Sequence, residues 1–130
     1  MKIDNIETYI DERASRFFDI FPCLEGQITI SSINPKQFSG WHMHKLQTDW
    51  FSVVKGRAKV SVISPSGEVF EYVLDADEPR TVEIPPLHLH CWLSFDCETV
   101  LVYYLSRKHD EEDEFRVTEE EIFEKFGYKI

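Results

Sequence analysis

From residue 26 to residue 105 the chain is a succession of short segments rich in Val, Ile, Thr and aromatics, split by turn-forming clusters. The segments are "QITISS", "WFSVVKG", "RAKVSVIS", "VFEYVL", "TVEIP", "CWLSF" and "TVLVYYLS". β-branched and aromatic side chains suit a pleated, half-buried surface, and Gly, Pro, Asn and Asp supply the turns between them. "RAKVSVISPSGEVFEYVL" reads as one hairpin across Pro65–Gly67. Seven such strands in about eighty residues can bury their apolar faces only by packing sheet on sheet or closing into a barrel. The flanks have a different texture. Ile6, Tyr9, Ile10, Phe17, Phe18 and Phe21 recur roughly at helical spacing and suggest an N-terminal helix, stopped by Pro22. "TEEEIFEKFG" predicts a short C-terminal helix with a Thr118–Glu121 capping box and a terminating Gly127.

At 130 residues the chain suits one domain, with a barrel over about 26–106 and an acidic segment plus helix over 107–130. Fourteen basic against 24 acidic residues give a formal charge of −10, which disfavours nucleic acid as a partner. The runs "DEEDE" at 110–114 and "EEE" at 119–121 read as a solvated acidic tail. Cys23, Cys91 and Cys97 form no CxxC pair, which suits a reducing cytoplasm. No apolar run approaches a signal peptide or a membrane span, so no membrane partner is expected.

Four of the five histidines fall in "WHMHKLQTDW" and "IPPLHLHCW", about forty residues apart. His42 and His44 share one face of a strand because side chains alternate with period two. The same parity puts Phe51 and Val53 on the face of Asp49, and His88 and Trp92 on the face of His90. Neutral imidazoles with one carboxylate suit Fe(II), Mn(II), Ni(II) or Zn(II), and His42, His44, Asp49 and His90 are the candidate ligands. The same residues could instead line a metal-free polar pocket. His88 could replace His90, orient it, or only fill space, and His109, among charges, reads as a surface residue.

The spacing His42-x-His44-x4-Asp49-x6-Gly56, followed by Pro85-x4-His90, resembles the two-part signature of the cupin superfamily. Asp49 stands where that signature usually has glutamate, and Leu87 where it usually has glycine. This resemblance implies an all-β, cupin-type antiparallel jelly-roll barrel that commonly forms a homodimer. A closer resemblance is to the dTDP-4-dehydrorhamnose 3,5-epimerases, with His42, Gln47, Gly56, His90 and Tyr103 in register. "DERASRFF" is similar to that family's N-terminal motif and makes Arg13 a candidate phosphate contact. Ser39 stands where the family carries an arginine, and Asp49 where it carries a lysine. The His42-Met43-His44-Lys45 run and "DEEDEFR" also resemble the dTDP-4-keto-6-deoxyhexose 3,4-ketoisomerases.

These resemblances imply proton transfer next to a carbonyl of a nucleotide sugar. His42 matches the base and Tyr103 the acid, with Arg13, Lys45, Gln47 and His90 as substrate contacts. The alternatives are a metal-dependent cupin acting on another small polar molecule, and a non-catalytic module that binds a small ligand. His42 cannot be a metal ligand and a free base at once.

Overall fold

The computed structural model describes residues 1–13, 15–21 and 25–130. The strands are β1 (Lys2–Asn5), β2 (Glu7–Ile10), β3 (Ser15–Phe18), β4 (Gln27–Ile33), β5 (Phe38–Met43), β6 (Asp49–Lys55) and β7 (Arg57–Ile63). They continue as β8 (Val69–Asp75), β9 (Arg80–Ile84), β10 (Leu89–Ser94), β11 (Thr99–Leu105) and β12 (Phe115–Val117), and helix α1 (Glu119–Phe126) follows. Among the described residues two five-stranded sheets form, in the orders β1-β9-β6-β11-β4 and β12-β5-β10-β7-β8. Their pairings are antiparallel throughout. This is the expected jelly roll.

Each of the seven segments read from the sequence is a strand, and β7 and β8 form the hairpin turned by Ser64–Gly67. Alternation then builds the interior. Phe51, Val53, Val82, Ile84, Leu101 and Ile33 face in from the first sheet, and Ala58, Val60, Val62 and Leu74 from the second. Burying each of the larger side chains contributes roughly 1.5–3 kcal/mol before conformational entropy is charged against it. Gly56 ends β6 at φ 76°, where an added Cβ would lie 2.5 Å from the Glu98 carbonyl oxygen, so glycine is required there.

The N-terminal region departs from expectation. It forms strands, not a helix: β1 pairs with β9 at the edge of the first sheet, and β2 pairs with β3 in a separate hairpin. The helical spacing is a coincidence between two strands on either side of the turn at Asp11–Arg13. Thr8-Tyr9-Ile10 and Phe17-Phe18 are better strand formers than helix formers. Pro22, expected to stop that helix, lies outside the described residues, as does Cys23. Phe21 packs on Tyr104, with ring centroids 5.6 Å apart. β1 and β12 thus add an outer strand to each sheet from beyond residues 26–106.

At the other end α1 has the predicted capping box and a left-handed Gly127. It packs Ile122 with Trp41, Ile63 and Cys91 on the outer side of the second sheet. Cys91 and Cys97 are free thiols. No helix among the described residues is long and apolar enough to cross a membrane.

Candidate functional site

Trp41 packs outward beneath α1, so His42 beside it faces inward. Cys91 and His90 divide in the same way on β10. His42 and His90 are directly opposite in the β5–β10 pairing, with ring centroids 4.2 Å apart. One extra residue in β5 bulges between the pairs His90–His42 and Trp92–Ser39, which turns Ser39 toward the same cavity. His44 lies just past the end of β5, its ring 5.8 Å from that of His90. Asp49 opens β6 across the barrel, with Phe51 and Val53 on its face as parity required. One ligand atom from each of His42, His44, Asp49 and His90 lies within 4.8 Å of the others.

Each ring is held by a backbone carbonyl. Nδ1 of His42 is 3.1 Å from the Gly40 oxygen, that of His44 2.7 Å from Asp113, and that of His90 3.0 Å from His88. A carbonyl can only accept, so each Nδ1 carries a proton and each Nε2 is the ring nitrogen turned into the cluster. Nε2 of His90 lies 3.2 Å from Oδ2 of Asp49, and Nε2 of His44 lies 3.6 Å from the same oxygen. Nε2 of His90 is buried without a hydrogen-bond partner. Burial and the neighbouring His90 and His44 lower the His42 pKa to about 3, against the pull of the Gly40 carbonyl. Burial of Asp49 favours its neutral form. The adjacent His90 imidazole and the Gln47 amide, 2.6 Å from Oδ1, outweigh that and hold its pKa below the usual value.

The cluster opens into a cavity of about 380 Å³ that Tyr103, Ser31, Trp92 and Arg116 also line. The Tyr103 hydroxyl is 3.1 Å from that of Ser31, and its ring meets Phe51 edge-on. Gln47 lines the cavity too, but its amide is committed to Asp49. Lys45 is not brought there: its ammonium lies over the Phe115 ring, 4.5 Å from the centroid. Arg13 sits in the N-terminal turn, paired with Asp11 at 2.9 Å. His88 enters through its backbone, whose carbonyl orients His90. His109 is exposed, at the cavity's edge.

The "DEEDE" run is not wholly a solvated tail. Asp113, in a 3₁₀ turn at Glu111–Asp113, is only 5% exposed. Its carboxylate accepts the backbone N–H groups of Lys45, Leu46 and Gln47, and its carbonyl orients His44. Sequence reasoning also passed over Glu114 and Arg116, which line the cavity. The alternation Phe115-Arg116-Val117 was the available signal, but the charge around it masked a three-residue strand.

Two antiparallel five-stranded sheets enclosing three histidines and an aspartate form a cupin-type jelly roll. The chain belongs to the polysaccharide biosynthesis C-terminal domain family, whose model matches residues 10–115. No curated protein sequence matches the chain. The fold is that of the dTDP-sugar epimerases and isomerases. A dTDP sugar isomerase from Desulfovibrio desulfuricans superposes with a TM-score of 0.81 at 19% identity, covering 89% of this chain and 82% of that one. ChmJ, a 3'-monoepimerase from Streptomyces bikiniensis in complex with dTDP-quinovose, gives 0.79 at 18% identity over 88% and 68%. The capsular polysaccharide assembling protein CapF from Staphylococcus aureus gives 0.68 at 23% identity, over 87% of this chain and 32% of that one.

Proposed function

We propose that this protein is an epimerase- or isomerase-type enzyme that moves protons next to the carbonyl of a nucleotide-linked 4-keto-6-deoxy sugar. The observation that carries the reading is that His42 and Tyr103, from opposite sheets, line one cavity. Epimerisation or ketoisomerisation requires a base to take a carbon-bound proton and an acid to return one. His42, kept neutral at physiological pH by burial, takes the proton at Nε2 because Nδ1 is committed to Gly40. The Tyr103 hydroxyl returns it and is kept in position by Ser31. The structural likeness to a dTDP sugar isomerase and to ChmJ supports the substrate class.

A divalent cation fits the same residues. Three imidazole nitrogens and a carboxylate converge, each imidazole is oriented by a carbonyl, and the buried Nε2 of His90 makes no hydrogen bond. His42, His44, Asp49 and His90 would hold Fe(II), Mn(II), Ni(II) or Zn(II). Such an ion supplies Lewis-acid polarisation of a carbonyl. His42 serves as base only where it is not a ligand; otherwise Tyr103 is the proton carrier left to the cavity. Elemental analysis of purified protein decides between the two states, with about one ion per chain expected for the metal form.

The direct assay follows deuterium incorporation into a dTDP-4-keto-6-deoxyhexose in deuterated water by NMR. Exchange above background that falls at least about a hundredfold in Tyr103→Phe is the expected result. Absence of both exchange and binding defeats the proposal. We also propose a homodimer working in the cytoplasm. Exposed Ile28 and Ile30 on edge strand β4, and Tyr9, Ile10 and Phe18 on the β2–β3 hairpin, support association. Light scattering at micromolar concentration should give twice the chain mass.

A further inference from the structure

We infer that Arg116 is the anchor for the phosphate oxygens of the substrate, taking the part left open at Ser39. This rests on the nucleotide-sugar reading above. Arg116 is directly opposite His42 in the β12–β5 pairing, and directly opposed residues present their side chains on one face. Both line the cavity, as does Ser39, turned inward by the bulge in β5. Arg116 therefore flanks His42 on the side away from His90.

Charge makes the case sharper. Among the described lining residues the permanent charges are Asp49, Glu114 and Arg116, so Arg116 is the single fixed cation. On a chain of net charge −10, a phosphate or diphosphate entering this cavity is repelled by Asp49 and Glu114 and attracted by Arg116. Glu114 Oε1, 3.2 Å from a terminal guanidinium nitrogen, steadies the side chain without using up its five donors. The side chain is 66% exposed, so its remaining N–H groups are accessible to a ligand at the rim of the cavity. A guanidinium can form paired hydrogen bonds to phosphate oxygens, which an ammonium cannot match. The sugar then extends inward toward His42 and Tyr103 while its phosphates stay at the rim.

The test is calorimetric binding of dTDP, thymidine and inorganic pyrophosphate to the full-length protein and its variants. Metal content and thermal melts are recorded for each preparation. Arg116→Ala should weaken dTDP and pyrophosphate by roughly 10- to 100-fold, the loss expected for hydrogen bonds to a charged group. Thymidine binding should not change, Arg116→Lys should recover part of the loss, and surface Lys55→Ala should behave as wild type. In turnover Arg116→Ala should raise KM far more than it lowers kcat, because the phosphates lie away from the reacting carbon. If Arg116→Ala binds dTDP as the wild type does, the anchor is wrong while the nucleotide-sugar reading survives. If pyrophosphate binding depends on Arg116 but dTDP binds no tighter than pyrophosphate, the anion site stands and the nucleotide reading falls. If the wild type binds neither, both fall.

Discussion

Nδ1 of His42, His44 and His90 each donates to a main-chain carbonyl, so the main chain itself dictates which ring nitrogen is free. Asp113 does the same for the loop after β5, accepting three successive amides that would otherwise be unpaired. Asp113→Ala should lower stability by about 3 kcal/mol in urea unfolding, since buried donors are orphaned, with Asp113→Asn milder. The pH dependence follows. Burial opposes ionisation of Asp113, but the three amides outweigh it and hold the folded pKa below the ordinary 3.8. The unfolded chain therefore takes up this proton first. The contribution is intact above about pH 4 and is lost as pH falls through the lower folded value. Asp113→Asn should flatten that acid limb of the stability profile. Cysteine chemistry gives a separate check. Burial pushes the Cys91 thiol up to about 12, whereas Cys97 is exposed. A thiol reagent should label Cys97 in the folded protein and reach Cys91 only on unfolding.

Among the elements, the turn before β10 carries a local conflict. Leu87 adopts φ 68°, a left-handed conformation that costs a residue with a Cβ about 1–2 kcal/mol. Its amide donates to the His44 carbonyl at 2.7 Å, tying this turn to the end of the first histidine segment. Leu87 is exposed, so its side chain returns little packing. Leu87→Gly should raise stability by about 1 kcal/mol in chemical denaturation, offset in part by the greater entropy of unfolded glycine. Loss of stability in that variant would mean that the Leu87 side chain makes a contact worth more than the strain. At the C-terminus the Thr118 hydroxyl accepts the Glu121 amide, and Thr118→Ala should cost about 1 kcal/mol.

For the whole molecule, the two sheets bring residues 42, 49, 103 and 116 around one cavity, with His90 in the cluster behind it. A ligand that binds only this assembled site stabilises the fold by mass action. Zn(II) or Mn(II) at a hundred times its Kd should add about 2.7 kcal/mol, and a chelator should reverse it. A melting temperature indifferent to both would argue against the four-residue metal site.

Where side-chain period alone decided an outcome, the sequence was sufficient. The central strands, the β7–β8 hairpin, the capped α1 and the shared face of Asp49, Phe51 and Val53 were all legible, because alternation and turn chemistry act over a few residues. The N-terminal strands were not legible: β1 exists by pairing with β9 about eighty residues away, and local spacing mimicked a helix. Asp113 and Arg116 were hidden for a related reason. A charged run looks solvated unless the rest of the chain brings unpaired amides, or an opposing strand, to meet it. The histidines' identity and spacing belonged to the sequence. The Nδ1 protons on the main-chain carbonyls and the placing of Arg116 beside His42 were decided by tertiary structure, since each depends on a neighbour that only folding brings close.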